Sequence, residues 1–390
     1  MRQFAGMSRR TRWAVPVGAV VVVGGVLAGS MISVAEASPP LPARTPAQLL
    51  AAVAGTTSAP PLTGTVVETA SLGLPALPGT GNPTSLSSLL TGSHTIKVWY
   101  ADPAHYRLSV PQTGSESDII RNGSSTWLWE SDSNTVTHAT VTPHQARPAM
   151  KKPSSGPPLT PQQAANQILA KVGPTTAVSV DSNVTVAGEA AYQLVLKPKT
   201  PDSLIGQVRI AIDGQRDVPL RVQVFAKGAQ SPAIQVGFTS VSFVKPAAAN
   251  FAFSPPAGAK VEQQTLGTRQ ASGPAANDSF TIGHGWLSVA DLPSAMAVPA
   301  KGASNSGSGS DDLGSGDTNA VIGALLRSAT PVSGSWGSGK LLRTSVMSVL
   351  ILGNGRMLAG PVTPNVIEQD APQAASQPHH PPASAPKPAK

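Results

Sequence analysis

The sequence predicts a mainly β protein with some α (α+β), built around one antiparallel sheet. Only 12% of the 390 residues are charged while 37 are Gly and 38 are Pro, a composition that favours short strands and turns over long helices. Apolar and polar residues alternate in several separate runs, as in strands with one covered face. Asn122-Gly123 and Asp213-Gly214 stand between such runs and are typical of hairpin turns.

Residues 1–37 are predicted to be a signal peptide or an N-terminal membrane anchor. Four arginines at positions 2, 9, 10 and 12 precede an uncharged apolar run over residues 14–32, and residues 34–37 (VAEA) offer the small side chains of a cleavage site. The run is about 19 residues long, which is also enough to span a bilayer. Either alternative places the rest of the chain outside the cytoplasm, secreted or anchored. The Pro-rich residues 38–44 then predict a stiff spacer.

The main domain is predicted over residues 45–255. Thr45 before Pro46 predicts the start of a short helix, and a second helix is expected over residues 161–172, before Gly173. Because most of the strand runs alternate, we expect the helices to pack across the apolar face of the sheet. The strands are expected at residues 63–69, 95–100, 106–110, 127–129, 192–196, 208–212, 220–224 and 234–238.

The C-terminal third predicts less regular structure. Residues 256–317 are expected to form a loop and a Gly/Ser linker with a short segment around Trp286. Residues 318–366 predict a helix, over 320–327, and a hairpin, in which residues 341–352 form one long strand. A lone hairpin is unstable in water, so it must complete the sheet or form a small subdomain. The Pro-, Ala- and Lys-rich residues 367–390 are expected to be disordered.

Residues with catalytic or metal-binding patterns are scarce in the sequence. It contains no Cys, which excludes thiolate metal sites, and its seven His are scattered without metal-site spacing. Residues 334–340 match a phosphate-binding loop, but Leu341 stands where the motif needs Ser or Thr, so a glycine-rich turn is favoured. No G-x-S-x-G motif is present. We therefore expect no catalytic residue, no metal and no cofactor, and the dispersed net charge of +8 predicts no nucleic-acid partner.

A ligand cavity is the functional feature that the alternation predicts. Large apolar residues share one strand face in several runs, and an acyl chain could bind there without a polar anchor if these faces line a common concavity. Ordinary core packing is the alternative, above all for the tryptophans. The cavity candidates are Tyr106, Leu108, Val110, Trp127, Trp129, Tyr192, Leu194, Leu196, Leu220, Val222 and Val224.

Three segments of the main domain resemble the LolA/LolB-like superfamily. They are residues 97–107 (KVWYADPAHYR), residues 120–129, where Asn122-Gly123 precedes Trp127-Leu128-Trp129, and residues 216–222 (RDVPLRV). The resemblance extends over residues 45–255. It implies an unclosed antiparallel half-barrel that wraps helices and holds lipid or lipoprotein acyl chains on its concave face, without catalysis.

These observations together predict an exported, non-enzymatic binding protein for a lipid or lipoprotein acyl chain, similar to the LolA carriers. The alternative is an envelope regulator or sensor similar to RseB, which would bind a membrane-protein partner such as an anti-sigma factor. A secreted hydrolase is a third and less favoured class, because fold alone does not decide function.

Overall fold

The structure is a computed structural model that describes residues 41–55, 59–74, 91–141, 160–169, 173–266, 280–292 and 325–376. Within these ranges the chain forms two sheets accompanied by helices, so the mainly β prediction is confirmed. The predicted signal peptide or anchor at residues 1–37 and the linker residues 293–317 lie outside the described residues. None of the helices in the described part of the chain has the length and apolar character needed to cross a membrane.

The large sheet consists of two meanders that meet at its centre. Its described strands are β1 (Leu62–Ser71), β2 (Thr91–Asp102), β3 (His105–Gln112), β4 (Ser115–Asn122), β5 (Ser125–Glu130), β6 (Thr135–Val141), β7 (Thr176–Val186), β8 (Glu189–Pro198), β9 (Ile205–Asp213), β10 (Pro219–Ala226), β11 (Ile234–Ser242) and β12 (Lys260–Leu266). They lie in the order β12-β6-β5-β4-β3-β2-β1-β11-β10-β9-β8-β7. Strands β1 to β6 and β7 to β11 therefore each follow the chain, and the antiparallel pairing of β1 with β11 joins the two meanders.

The large sheet curls without closing into a barrel. Strands β7 and β11 are four positions apart in the order, yet their Cα atoms approach within 8 Å. Among the described strands, β7 and β12 each have a neighbour on one side only, so they are the two edges. The sheet continues past residue 255, where the predicted domain ends, because β12 pairs in parallel with β6.

Two helices lie on one face of the curled half of the sheet. Helix α1 (Pro46–Gly55) contacts β7, helix α2 (Pro161–Leu169) contacts β10 and β11, and the helices contact each other. Each begins after a Thr that forms a capping box with a Gln three residues later. The Gln48 amide N–H donates to the Thr45 hydroxyl at 3.2 Å, and the Thr45 N–H donates to the Gln48 side chain at 2.8 Å. The two predicted helix starts are therefore confirmed.

A second, smaller sheet forms the C-terminal part. Its described strands are β13 (Phe280–Ile282), β14 (Val289–Leu292), β15 (Thr330–Gly334), β16 (Gly337–Arg343), β17 (Ser348–Leu352) and β18 (Met357–Gly360), followed by helix α3 (Pro364–Ala375). The strands lie in the order β13-β14-β18-β17-β16-β15, so residues 334–341 form a hairpin and not a phosphate-binding loop. Of the helix predicted at residues 320–327, residues 325–327 are described and are helical.

Two predictions for the C-terminal part are wrong. Residues 341–352 are not one strand, because the hydroxyl of Thr344 accepts the N–H groups of Val346 and Met347, at 3.3 and 2.9 Å, and closes a turn between β16 and β17. Disorder does not begin at residue 367, because α3 extends to Ala375. Ile367 and Ala371 recur at helical spacing on α3 and are fully buried in the core of the small sheet.

Candidate functional site

The strand register divides the large sheet into two faces. Leu108 pairs with Val98 in one meander, Val222 pairs with Val236 in the other, and the pairing of β1 with β11 places all four side chains on the same face. Residues of both meanders on this face share one hydrophobic core with α1 and α2. We call it the inner face, and the opposite side the outer face.

Most of the sequence-predicted cavity residues lie on the inner face. The structure brings together Tyr106, Leu108, Val110, Tyr192, Leu194, Leu196, Leu220, Val222 and Val224. Trp127 and Trp129 do not join them. Trp127 pairs with Ile120 and Ile120 with Arg107, so both tryptophans project from the outer face.

The helices cover the inner face over strands β8 to β11. Leu194, Leu196 and Leu220 are fully buried there and share one cluster with Leu49 of α1 and Ala165 of α2. Large apolar side chains from two layers with no exposed surface constitute a closed hydrophobic core. In the described conformation this half of the inner face is therefore core.

The inner face over strands β3 to β5 is covered less completely. Leu108 pairs with Ile119, and Ile119 pairs with Leu128, which gives an apolar row across three adjacent strands. Leu108 and Ile119 are half-buried, and Leu128 is 37% exposed. Leu108 also packs against the hydrophobic core, so the apolar row (Leu108, Ile119 and Leu128) extends that core towards solvent.

Sequence reasoning missed Ile119 and Leu128. Residues 115–118 are polar, so no apolar alternation indicates the strand that contains Ile119. Leu128 lies between two tryptophans, and strand alternation assigns it to the face opposite to theirs. The turn after Asn122 did contain the signal. Its two-residue loop pairs Asn122 with Ser125, which places Ile119 opposite Leu128.

The two tryptophans belong to an aromatic group on the outer face. Trp127 stacks on His138 with 3.8 Å between ring centroids, and Phe253 lies 5.6 Å from Trp127 and 6.5 Å from Trp129. Phe251, at the end of the 3₁₀ helix Ala248–Phe251 that contacts β3 and β4, is buried next to this group. The chain that leaves β11 thus returns over the outer face.

A charged cluster lies on the same outer face. Arg107 donates to the carboxylate of Asp118, which is 1% exposed, and to Glu116 at 3.2 Å. Burial, and then a hydrogen bond shared with Glu116, raises the pKa of Asp118 to about 6. The same hydrogen bond lowers the pKa of Glu116. In the described part of the chain no group of three His, Asp or Glu residues is arranged to hold a metal ion.

Segments from outside the large sheet pack at both ends of its strands. Trp286, which follows β13 of the small sheet, is 1% exposed in the large core, and its indole N–H donates to the hydroxyl of Thr176 at 2.7 Å. At the other end of β8, the hydroxyl of Tyr192 donates to the carbonyl of Pro42 at 2.7 Å. These two contacts lie at opposite ends of the β7–β8 pair, away from the apolar row on β3 to β5.

Several solved structures are similar to this chain. The MucA/MucB complex of Pseudomonas aeruginosa matches at 14% identity, with 84% of this chain and 96% of that chain covered and a TM-score of 0.41. A LolA superfamily protein of Nitrosomonas europaea matches at 10% identity, with 54% and 99% covered and a TM-score of 0.19. A DUF1329 family protein of Desulfovibrio piger matches at 9% identity, with 53% and 95% covered and a TM-score of 0.22.

These similarities assign no ligand and no partner to this chain, because their identities and TM-scores are low. The sequence matches no protein-family model and no curated protein. The structural neighbours include MucB and a LolA superfamily protein.

Proposed function

We propose that this chain is an extracytoplasmic, non-enzymatic binding protein that holds the acyl chain of a lipid or a lipoprotein against its inner face. The apolar row of Leu108, Ile119 and Leu128 is the observation that supports this function. It leaves large apolar side chains partly exposed on a surface that is continuous with the core. The row offers no nucleophile and no titratable group, so its chemistry suits binding.

The hydrophobic effect supplies enough free energy for such binding. Each fully buried methylene contributes about 0.8 kcal/mol, so ten methylenes laid along the row contribute less than about 8 kcal/mol, because one side of the chain still faces water, and the cost of ordering the chain lowers this further. An acyl chain gains this without a polar anchor. It also covers Leu128, whose exposed side chain otherwise costs free energy in water.

A charged substitution in the row tests this function. Leu128→Glu and Leu108→Glu should each weaken uptake of a fluorescent fatty acid at least tenfold, because an ionised carboxylate cannot be buried beside the acyl chain. Thr95→Glu is the matched control, since Thr95 is exposed on the outer face and gains the same charge. Uptake is measured by fluorescence titration, with circular dichroism to verify the fold. Equal uptake by folded Leu128→Glu and by wild type would exclude the row as the binding surface.

One observation favours a second function, that of a regulator binding a membrane-protein partner. Strand β15 is mostly exposed and, within the described residues, pairs only with β16, so its other edge can accept an added strand of a partner. Native mass spectrometry of the protein purified from its own envelope distinguishes the two functions. A bound lipid supports the first, and a stoichiometric membrane protein supports the second.

A further inference from the structure

Three basic residues form a diagonal on the outer face of the large sheet, away from the apolar row. Lys197 is on β8, Arg209 on β9 and Arg221 on β10, each displaced by two residues from the position directly opposite the next. Diagonal neighbours of this kind lie about 7–8 Å apart at their Cα atoms. Long basic side chains on such positions can reach one ligand.

The two arginines of this diagonal have no anionic partner among the described residues. Neither takes part in an ion pair, and the Nε of Arg209 is buried without any hydrogen-bond partner. The carboxylate that shares a cross-strand row with Arg221 is Asp181 on β7, three strand spacings or about 14 Å away. Gln193, which stands between them, donates to that carboxylate at 3.4 Å.

Packing holds both arginine stems in place. The guanidinium of Arg209 lies over the ring of Phe225, 5.0 Å from its centroid, and Phe225 is buried. Arg221 lies across Gly237 of β11, where a Cβ would come within 2.9 Å of the Arg221 side chain. An amide pair lies beside both arginines, in the cross-strand row that starts at Arg209, and in it Gln223 donates to Gln235 at 2.6 Å.

The arrangement has an electrostatic cost. Burial, and then the charge of Arg209, lowers the pKa of Arg221. Two cations held near each other and partly removed from water disfavour folding unless an anion offsets their charge. An arginine is also the side chain best shaped to bind an oxyanion, because its N–H groups form a planar fork.

We propose that Arg209 and Arg221, with the neighbouring Gln223 and Gln235 amides, bind a phosphate-type oxyanion on the outer face. Lys197 adds a third positive charge at the rim. The oxyanion comes either from free phosphate or from the phosphodiester of a lipid headgroup, which share the same recognition chemistry.

Calorimetric titration of the full-length chain in a non-ionic detergent at low salt tests the site. One arm uses inorganic phosphate and the other uses glycerophosphoglycerol, a soluble phosphodiester headgroup. We expect wild type to bind at least one probe with a dissociation constant below about 1 mM. The double variant Arg209→Gln/Arg221→Gln should bind that probe at least tenfold more weakly. Binding of phosphate alone identifies a free oxyanion as the ligand, and tighter binding of the diester identifies a headgroup.

Lys97→Gln is the matched control, because Lys97 is an exposed cation of the outer face that lies off the diagonal. Its affinity should stay within twofold of wild type. A second measurement needs no variant: the bound probe should slow modification of Arg209 and Arg221 by phenylglyoxal, as mapped by peptide mass. Absence of binding by wild type, equal binding by the double variant, or unprotected arginines would overturn the proposal.

Discussion

Arg107 of β3 and Asp118 of β4 form an ion pair across the outer face, directly behind the apolar row. Arg107 is the residue before Leu108, and Asp118 is the residue before Ile119, so each member of the pair shares a strand with a member of the row. Arg107 is therefore not a neutral position on the outer face, although strand alternation alone suggests one.

Replacement of Arg107 by Ala should destabilise the fold. The carboxylate of Asp118 is 1% exposed and would lose the cation that compensates its burial, which costs about 3 kcal/mol. Urea denaturation at pH 7.5 measures the loss. At pH 5 the loss should be smaller, since the unpaired carboxyl can then accept a proton. An equal loss at both pH values would show that Arg107 stabilises through packing of its stem instead.

The raised pKa of Asp118 also predicts how stability depends on pH. The folded pKa of about 6 lies above the ordinary value of 3.8, so the folded state binds more protons than the unfolded state between these values. The free energy of unfolding should therefore fall as pH rises from about 4 to about 6, by on the order of 2 kcal/mol from this group. The pKa of Glu116 is lowered, so below its ordinary value of 4.5 its contribution to the free energy of unfolding rises with pH, opposite to that of Asp118.

Asp118→Asn tests this assignment because Asn has nearly the same shape and does not titrate. Thermal melts between pH 4 and pH 7 should show that the melting temperature falls less with rising pH in the variant than in wild type. Parallel curves would mean that another carboxyl group, such as Glu68 with its pKa raised by burial, dominates in this pH range.

Trp286 should couple the two sheets thermodynamically. Its ring is buried in the large core although it belongs to the small sheet's part of the chain, so Trp286→Ala should cost about 3–5 kcal/mol. Differential scanning calorimetry should then resolve two transitions where wild type has one. Trp286→Phe is the control, since it keeps most of the packing and loses only the hydrogen bond to Thr176, at about 1 kcal/mol. A single unshifted transition for Trp286→Ala would contradict the coupling.

A side chain at Gly64 of β1 should lower the stability of the fold. A Cβ at this position would come within 2.6 Å of the Ser240 carbonyl oxygen and 2.8 Å of the Phe238 ring, at the irregularity where β1 and β11 change register. Gly64→Ala should therefore destabilise by about 1–3 kcal/mol in urea denaturation. Gly173→Ala is the control, because no atom lies within 4 Å of its Cβ position. Equal stabilities of the two variants would contradict the close approach.

The face of a side chain within a cleanly alternating strand could be predicted from the sequence. The face that it shares with residues of other strands depends on strand register and could not be predicted. Leu194 and Val222 each lie in an apolar alternation that predicts one covered face for its own strand, and both pair with Ile210 on the inner face. Whether they line a cavity depends on the helices, and those helices bury them in the described conformation.

The tryptophans show why the remainder could not be predicted. Trp127 alternates within its own strand, but its face relative to Leu108 depends on the register of two intervening pairings. Trp286 and Thr176 are 110 residues apart, and no local pattern reports a contact of that separation. The Arg209 and Arg221 diagonal likewise exists only after β8, β9 and β10 are aligned.

The junction of the two meanders at β1 and β11 has a consequence for folding kinetics. Successive strands within β2 to β6 and within β7 to β11 are connected by short turns. The pairing of Thr63 with Ser242, in contrast, joins residues that are 179 positions apart in the chain. Such non-local pairing is slow because the loop entropy is lost before any contact repays it. Pulse-labelled hydrogen exchange should therefore show protection within each meander first and protection of the amides that pair β1 with β11 last, so the inner face is completed only in the final step of folding.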